Sequence, residues 1–488
     1  MALANVAVQL AQRGKKVLLV DFDLEAPGIP TFPEFAPATD CPGVIEFITA
    51  FRQTGVAPEV RDFVYEAQQR FRGSIHVMPA GLHDAGYSAR LNSIDWQKLY
   101  AQENGYLLFE DLKQQWKKTF DPDYILIDSR TGHSDVEGIC TRQFPNAVCM
   151  LFFPNEQNLQ GVQKVARNVR AQNEAMRAVR GEISLHFAVS NVPDLDDEEQ
   201  IVRSLLDRFK NDLEYKELSG HIHHYESLSL LRQEIFSLHR PNSRLTKEYR
   251  LLADKLVENN LEDRDVAGRF LKGAVRSIRS ESPKVADSIG KVEEILAKFP
   301  SDPDVLLDAA LIYEGLGRTT DALTLLGADH EGRSGRFFAV RARMNYRLGY
   351  KAEAAADIRK VLTVENTDSV SLLESLSFAN EVDTDLLKLI PDSKAVKALS
   401  DEDKVFLAEQ IGQGASTLEA QLAILKTIGD QSEHAIEIAE IAGLALVGLG
   451  RFDEALEQLS KIVPPHIGSL FNTAMAKWGR KGTPDPEL

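Results

Sequence analysis

Five short apolar runs, each cut off by a polar or glycine-containing turn and separated by helix-length stretches, constrain the first half of this chain most. They are Val17-Leu18-Leu19-Val20, Ile75-His76-Val77-Met78, Tyr124-Ile125-Leu126-Ile127, and the segments 147–153 and 183–189. Such runs are too short for helices and too continuously apolar to keep a wet face. Strands covered on both faces of a parallel sheet read this way. Helical patterns fall between them at 2–13, closed by Gly14, at 94–118 and at 158–178, with a last helix over 244–256. The expected fold is a doubly wound, mostly parallel α/β sheet.

Beyond Leu256 the texture changes to Glu258-Asn259-Asn260-Leu261-Glu262-Asp263-Arg264-Asp265, and strand signals largely stop. A boundary is expected there, within about ten residues. The second half carries a repeat. Leu316-Gly317-Arg318 leads to Asp321-Ala322-Leu323, and Leu449-Gly450-Arg451 leads to Glu454-Ala455-Leu456. Leu348-Gly349 leads to Glu353-Ala354-Ala355 as a weaker copy. Glycine lets a helix end in a tight turn, and alanine lets the next helix pack close. Asp302-Pro303 supplies an N-cap and a first helical residue for the helix ending at Gly317. The spacing of the copies fits a period of about 34 residues, similar to the tetratricopeptide family. An ordinary helical bundle is the alternative, and 364–430 has helical texture without a readable repeat. The expected division is 1–257 for the sheet, 258–283 for a linker helix region, 284–480 for helical repeats and 481–488 for a tail.

A chain of 488 residues is too long for one core. A net charge of −17 argues against nonspecific nucleic-acid binding, because gripping phosphates takes concentrated lysine and arginine. No apolar window reaches membrane-span length, and the C-terminus reads without an amphipathic membrane-targeting tail. Cys41, Cys140 and Cys149 show no metal-ligand spacing, and three cysteines fit buried thiols in a reducing, cytoplasmic interior.

The chemistry-bearing motif lies at the start. Ala2-Leu3-Ala4-Asn5-Val6-Ala7 opens a helix, Gly14-Lys15-Lys16 closes it, and strand 17–20 runs into Asp21-Phe22-Asp23-Leu24-Glu25-Ala26-Pro27-Gly28. This resembles the ParA/MinD branch of P-loop ATPases over roughly residues 1–256. In that family a glycine-rich phosphate loop leads into such a helix, and the next strand ends in an Asp-x-Asp pair. Here the sequence begins where that loop would have just ended, so the first strand and loop are expected upstream of Met1. Without backbone donors for the phosphates, the chain as written is expected to bind nucleotide weakly or not at all. A degenerate relative lacking the loop is the alternative.

The resemblance implies ATP and Mg2+ as cofactors and a homodimer closed around ATP. Asp128, ending strand 124–127, matches the position that holds magnesium through water. Asp23 matches the carboxylate that positions the attacking water, and Asp21 would sit beside the metal and order Asp23. Asn191, after strand 183–189, matches an adenine-reading position. Pro241 and Asn242, ahead of the last helix, lie where family members close over the base, and Arg130 would reach the γ-phosphate or a partner subunit. The function implied is a regulatory switch ATPase whose helical repeats take a protein or peptide partner. The setting expected is a bacterial signalling or defence assembly.

Two alternatives stand beside it: a catalytically dead scaffold, or an ATPase positioning DNA cargo. DNA would use the basic helix carrying Lys164, Arg167, Arg170, Arg177 and Arg180, which reads better as a solvated face. His221 and His223 are expected on one strand face and His224 on the other, which speaks against a zinc site.

Overall fold

The computed structural model describes residues 1–129, 138–176, 181–193, 199–225, 234–279, 289–327, 333–411, 415–429 and 432–481. Arg130, Arg177 and Arg180 lie outside them. The chain divides into two compact units, Met1–Asp263 and Arg264–Leu488. Asp263 is nearly buried and accepts from Lys15 Nζ at 2.9 Å and Tyr124 Oη at 2.6 Å, which fastens the first unit's last residue to its sheet.

The first unit contains β1 (Lys16–Asp21), β2 (Tyr65–Glu66), β3 (Ser74–Met78), β4 (Tyr124–Asp128), β5 (Ala147–Phe152), β6 (Ser184–Val192) and β7 (Gly220–His223). Their hydrogen bonds make two sheets, not one. The first has the order β2-β3-β1-β4 and the second β5-β6-β7. Every pairing is parallel except β2 with β3, which is antiparallel. The hydrophobic core is divided the same way. One cluster, including Leu18, Val20, Phe22, Trp116 and Phe144, packs around the first sheet. Another, including Met150, Phe152, Val169, Phe187 and Phe209, packs around the second.

The strand between helices explains itself locally. Val17 to Val20 are fully covered, as a central parallel strand requires. Helix α1 (Ala2–Gln12) is buried along nearly its whole length, polar Asn5 and Gln9 included. Asn5 is accommodated by accepting a hydrogen bond from the Ser237 backbone N–H at 2.8 Å. The stretch 94–118 is not one helix but two, Trp96–Gln102 and Gly105–Phe120. Asn104 breaks it at a left-handed φ of 57°, and a Cβ on Gly105 would lie 2.9 Å from Leu99.

The second unit is helical throughout its described residues. Helix Arg264–Arg279, read from sequence as part of a linker, packs on helix Pro303–Gly315 within this unit. The repeat motif marks helix pairs: Pro303–Gly315 with Thr319–Leu326, Gly335–Arg347 with Lys351–Thr363, and Ala435–Gly448 with Phe452–Leu459. Gly317, Gly349 and Gly450 turn each pair at φ of 79°, 83° and 73°, and Ala322, Ala354 and Ala455 are fully buried at the contacts. Asp302 caps the first pair by accepting from the N–H groups of Asp304 and Val305.

Candidate functional site

Asp21 and Asp128 end neighbouring parallel strands and sit directly opposite each other in the β1–β4 register. Ligand sites of open α/β sheets form beyond this carboxyl edge. The ladder carries on one step further, with the Phe22 N–H donating to the Asp128 carbonyl at 2.9 Å.

Asp21 is completely buried. Its Oδ2 accepts from the N–H groups of Gly28 and Ile29, both at 3.0 Å, and so folds segment 22–28 back over the strand end. Its Oδ1 is buried without a hydrogen-bond partner. Burial pushes this carboxyl up to about 6, with the charge of Asp128 adding to the effect and the backbone N–H groups of Ile29, Gly28 and Asp23 opposing it. Asp128 is held above the usual carboxylate range, again chiefly by burial. The Met1 amino group pulls the other way, and the charge of Asp23 adds. Asp23 is half-exposed and accepts from the Ala26 N–H at 3.2 Å. The three carboxylates therefore form one group, with Asp21 shaping the loop and Asp23 and Asp128 open to a ligand.

Beside them runs a cleft of about 1180 Å3. Its walls are β4 on one side and β5 on the other, and it is also lined by Leu3, Val6 and Leu10 of α1 and by Leu245, Tyr249 and Leu252 of helix Arg244–Val257, which packs against α1. No described strand pairs with the β4 edge or the β5 edge that faces it. Both edges show the consequence: all of β4 is only half-buried despite its apolar sequence, and Leu151 of β5 is more than a third exposed. Met1, where α1 begins, lines the same cleft next to Asp128.

Asn191 also lines this cleft, so the structure brings it together with Asp128. It is not in a turn after the strand but within β6, at a bulge between Val189 and Val192, with a left-handed φ of 58°. Its Oδ1 lies 2.6 Å from His224 Nδ1. Pro241 and Asn242 are exposed in the turn before helix Arg244–Val257 and do not line the cleft. That helix is capped instead by Ser243, whose hydroxyl accepts from the Thr246 N–H.

His221 and His223 stack at 4.5 Å on β7, as alternation requires. His223 is joined to Glu248 at 2.6 Å, and no three His, Cys, Asp or Glu gather as metal ligands among the described residues. The sequence reading missed this His223–Glu248 pair, because nothing local announces a contact to a helix 25 residues on.

A divalent cation suits this carboxylate group in one respect. An unpartnered buried oxygen and two carboxyls raised by burial are costs that a positive charge relieves. Magnesium needs only one or two protein carboxylates, with water and phosphate completing its shell. For phosphate, the described residues offer the backbone N–H groups that open α1, an anion-binding feature in its own right.

No family model and no curated protein matches the chain. Among solved structures, the chain is similar to a McdA variant from Cyanothece in complex with ATP, at 18% identity over 52% of this chain and 90% of that one, TM-score 0.40. It is also similar to a ParA family ATPase from Chlorobium tepidum, at 16% identity over 52% and 90%, TM-score 0.36. For apo McdA the figures are 16%, 52% and 94%, with a TM-score of 0.39. Likenesses this loose carry no assignment by themselves. The fold stands on the strand order and register described above.

Proposed function

We propose that the first unit is the body of a ParA/MinD-like switch ATPase, and that a phosphate-binding strand and loop fill the cleft between β4 and β5 immediately ahead of α1. One observation carries this reading: three carboxylates at the carboxyl ends of two adjacent parallel strands, beside a cleft walled by two unpaired strand edges. A strand laid there would pair with both edges, join the two sheets and merge the two cores.

In this reading Asp128 holds Mg2+ through water, Asp23 orients the attacking water, and Asp21 keeps segment 22–28 closed so that Asp23 stays in place. Bound Mg2+ supplies charge neutralisation at the γ-phosphate. Asn191 is a candidate for reading the adenine edge from the cleft wall. Pro241, Asn242 and Arg130 keep their proposed nucleotide roles on resemblance alone. ATP closes a homodimer, hydrolysis opens it, and the helical unit, tetratricopeptide-like in its glycine–alanine pattern, presents a surface to a protein or peptide partner. A bacterial signalling or defence assembly is the proposed setting.

The second reading is a catalytically dead scaffold, in which the first unit does not turn ATP over and the helical unit carries the function. DNA positioning is less favoured. Of the basic helix Glu156–Met176, Arg170 donates to the Leu213 carbonyl and pairs with Glu214, and Arg167 donates to the Gln163 carbonyl. No helix among the described residues is long and apolar enough to cross a membrane.

The test is ATP hydrolysis by the chain as sequenced and by a form extended upstream through any in-frame glycine-rich segment, each with and without Asp23→Ala. Turnover in the extended form alone, abolished by the substitution, is expected. Absence of turnover and of nucleotide binding in both forms would leave the scaffold.

A further inference from the structure

The last described helix of the second unit, Ile467–Lys481, turns its small, polar side inward and its apolar side outward. Its buried face is small and polar, Ser469, Asn472 and Ala476. Its outward face carries Ile467, Leu470, Phe471 and Trp478, with Ile467 87% and Phe471 63% exposed. At about 100° per residue these four fall within one stripe, directly opposite the buried three. The sequence pattern shows that the helix has an apolar side; only the structure shows that this side is the outer one. Isolated exposed apolar residues are ordinary, but a continuous stripe is not.

The stripe continues onto helix Ala435–Gly448. His466 pairs with Glu440 at 3.3 Å, and a Cβ on Gly468 would lie 3.3 Å from the Glu440 carboxylate. One turn to either side of Glu440 stand Ile436 and Leu444, both about half exposed. The patch therefore has a polarity. At its Ile467 end lie the exposed Glu437 and the half-buried Glu440, and at its other end Lys477, Arg480 and Lys481. Among the described residues Glu437 pairs with His434 and Arg480 with Asp453.

We infer that this patch is a homodimer interface in which two copies of helix Ile467–Lys481 pack antiparallel about a two-fold axis. Antiparallel packing lays the apolar stripe on its own copy and brings the basic end of each helix against the Glu437–Glu440 end of the other. An isologous interface demands this self-complementarity. A parallel arrangement would oppose like charges at both ends. The six apolar side chains make a patch of the order of the roughly 800 Å2 per partner that a stable interface covers. This contact needs no nucleotide and does not depend on the switch reading.

The experiment is sedimentation of the full chain without nucleotide over a concentration series. A monomer–dimer equilibrium is expected, with the dissociation constant raised at least about tenfold by Phe471→Glu, a change at an exposed position that leaves the circular dichroism unaltered. Reversing the acids (Glu437→Lys with Glu440→Lys) and reversing the bases (Lys477→Glu with Arg480→Glu) should each weaken the dimer, and the four changes together should restore it. A monomer at every concentration, a dimer indifferent to Phe471→Glu, or reversals without mutual rescue would overturn the inference. So would a monomer that instead binds anionic phospholipid vesicles through Phe471.

Discussion

Burying a carboxylate with one oxygen unpaired is costly when it ionises, and Asp21 has that environment. Its folded value, about 6, lies above its ordinary 3.8. The folded state therefore keeps a proton through a window in which the unfolded chain has lost it, and stability falls as pH rises from about 4 to 6. The full penalty is present above that window. At 1.36 kcal/mol per unit it amounts to about 3 kcal/mol. Asp21→Asn keeps an acceptor for the Gly28 and Ile29 N–H groups but cannot ionise. Its stability relative to the parent should shift in the variant's favour by up to about 3 kcal/mol between pH 4 and pH 8, read by urea unfolding at both. A difference constant with pH would show that Asp21 is not ionised at a cost. Added Mg2+ should narrow the gap at pH 8 if the cation sits beside this group. At this scale the sequence was informative about which strands end in carboxylates and blind to finer geometry. The Asp-x-Asp spacing and Asp128 were readable because strand ends dictate them. The left-handed φ of Asn191 and its tie to His224 were not, since both arise from a bulge that depends on β7.

Elements were readable where a local rule is sufficient. Strands β1, β3, β4 and β5 reach within a residue or two of their apolar runs, because each run is nearly continuous and ends at a polar or glycine-containing turn. The two-residue β2 left no such run, and β7 was visible only through its alternating histidines. In the second unit the glycine–alanine pattern found the helix pairs. The region 364–430 resisted because it is built of short pieces, including Ala379–Val382, Lys394–Ala398 and a turn containing Pro391. Two substitutions with opposite signs test whether backbone conformation explains these glycines. Gly349→Ala forces a Cβ into φ 83° and should cost about 1 kcal/mol. Gly268 lies inside helix Arg264–Arg279 with open space around its Cβ position, so Gly268→Ala should add about 0.5–1 kcal/mol. Denaturation midpoints shifting the same way for both would refute the assignment.

Across the whole first unit, the divided sheet sets the energetics. Two hydrophobic clusters, each serving its own sheet, do not support one another as a single core would. The edges of β4 and β5 that face the cleft leave backbone groups to water, and roughly alternate N–H groups along a strand point to each side. Hydrogen exchange should therefore divide β4 within itself. The amides bonded to β1 should be protected like those of Val17–Val20, and the remainder, with those on the free edge of β5, should exchange far faster. If a strand ahead of α1 belongs in the cleft, the upstream-extended form should protect these fast amides on both sides at once, because one inserted strand must bond to both. Protection should also rise around Leu151, which lines the cleft and is more than a third exposed. Equal protection of both edges in the chain as sequenced would mean that the sheets are already joined in solution. Slow exchange gained on β4 alone would place the added strand on one sheet and leave the other outside the nucleotide-binding body.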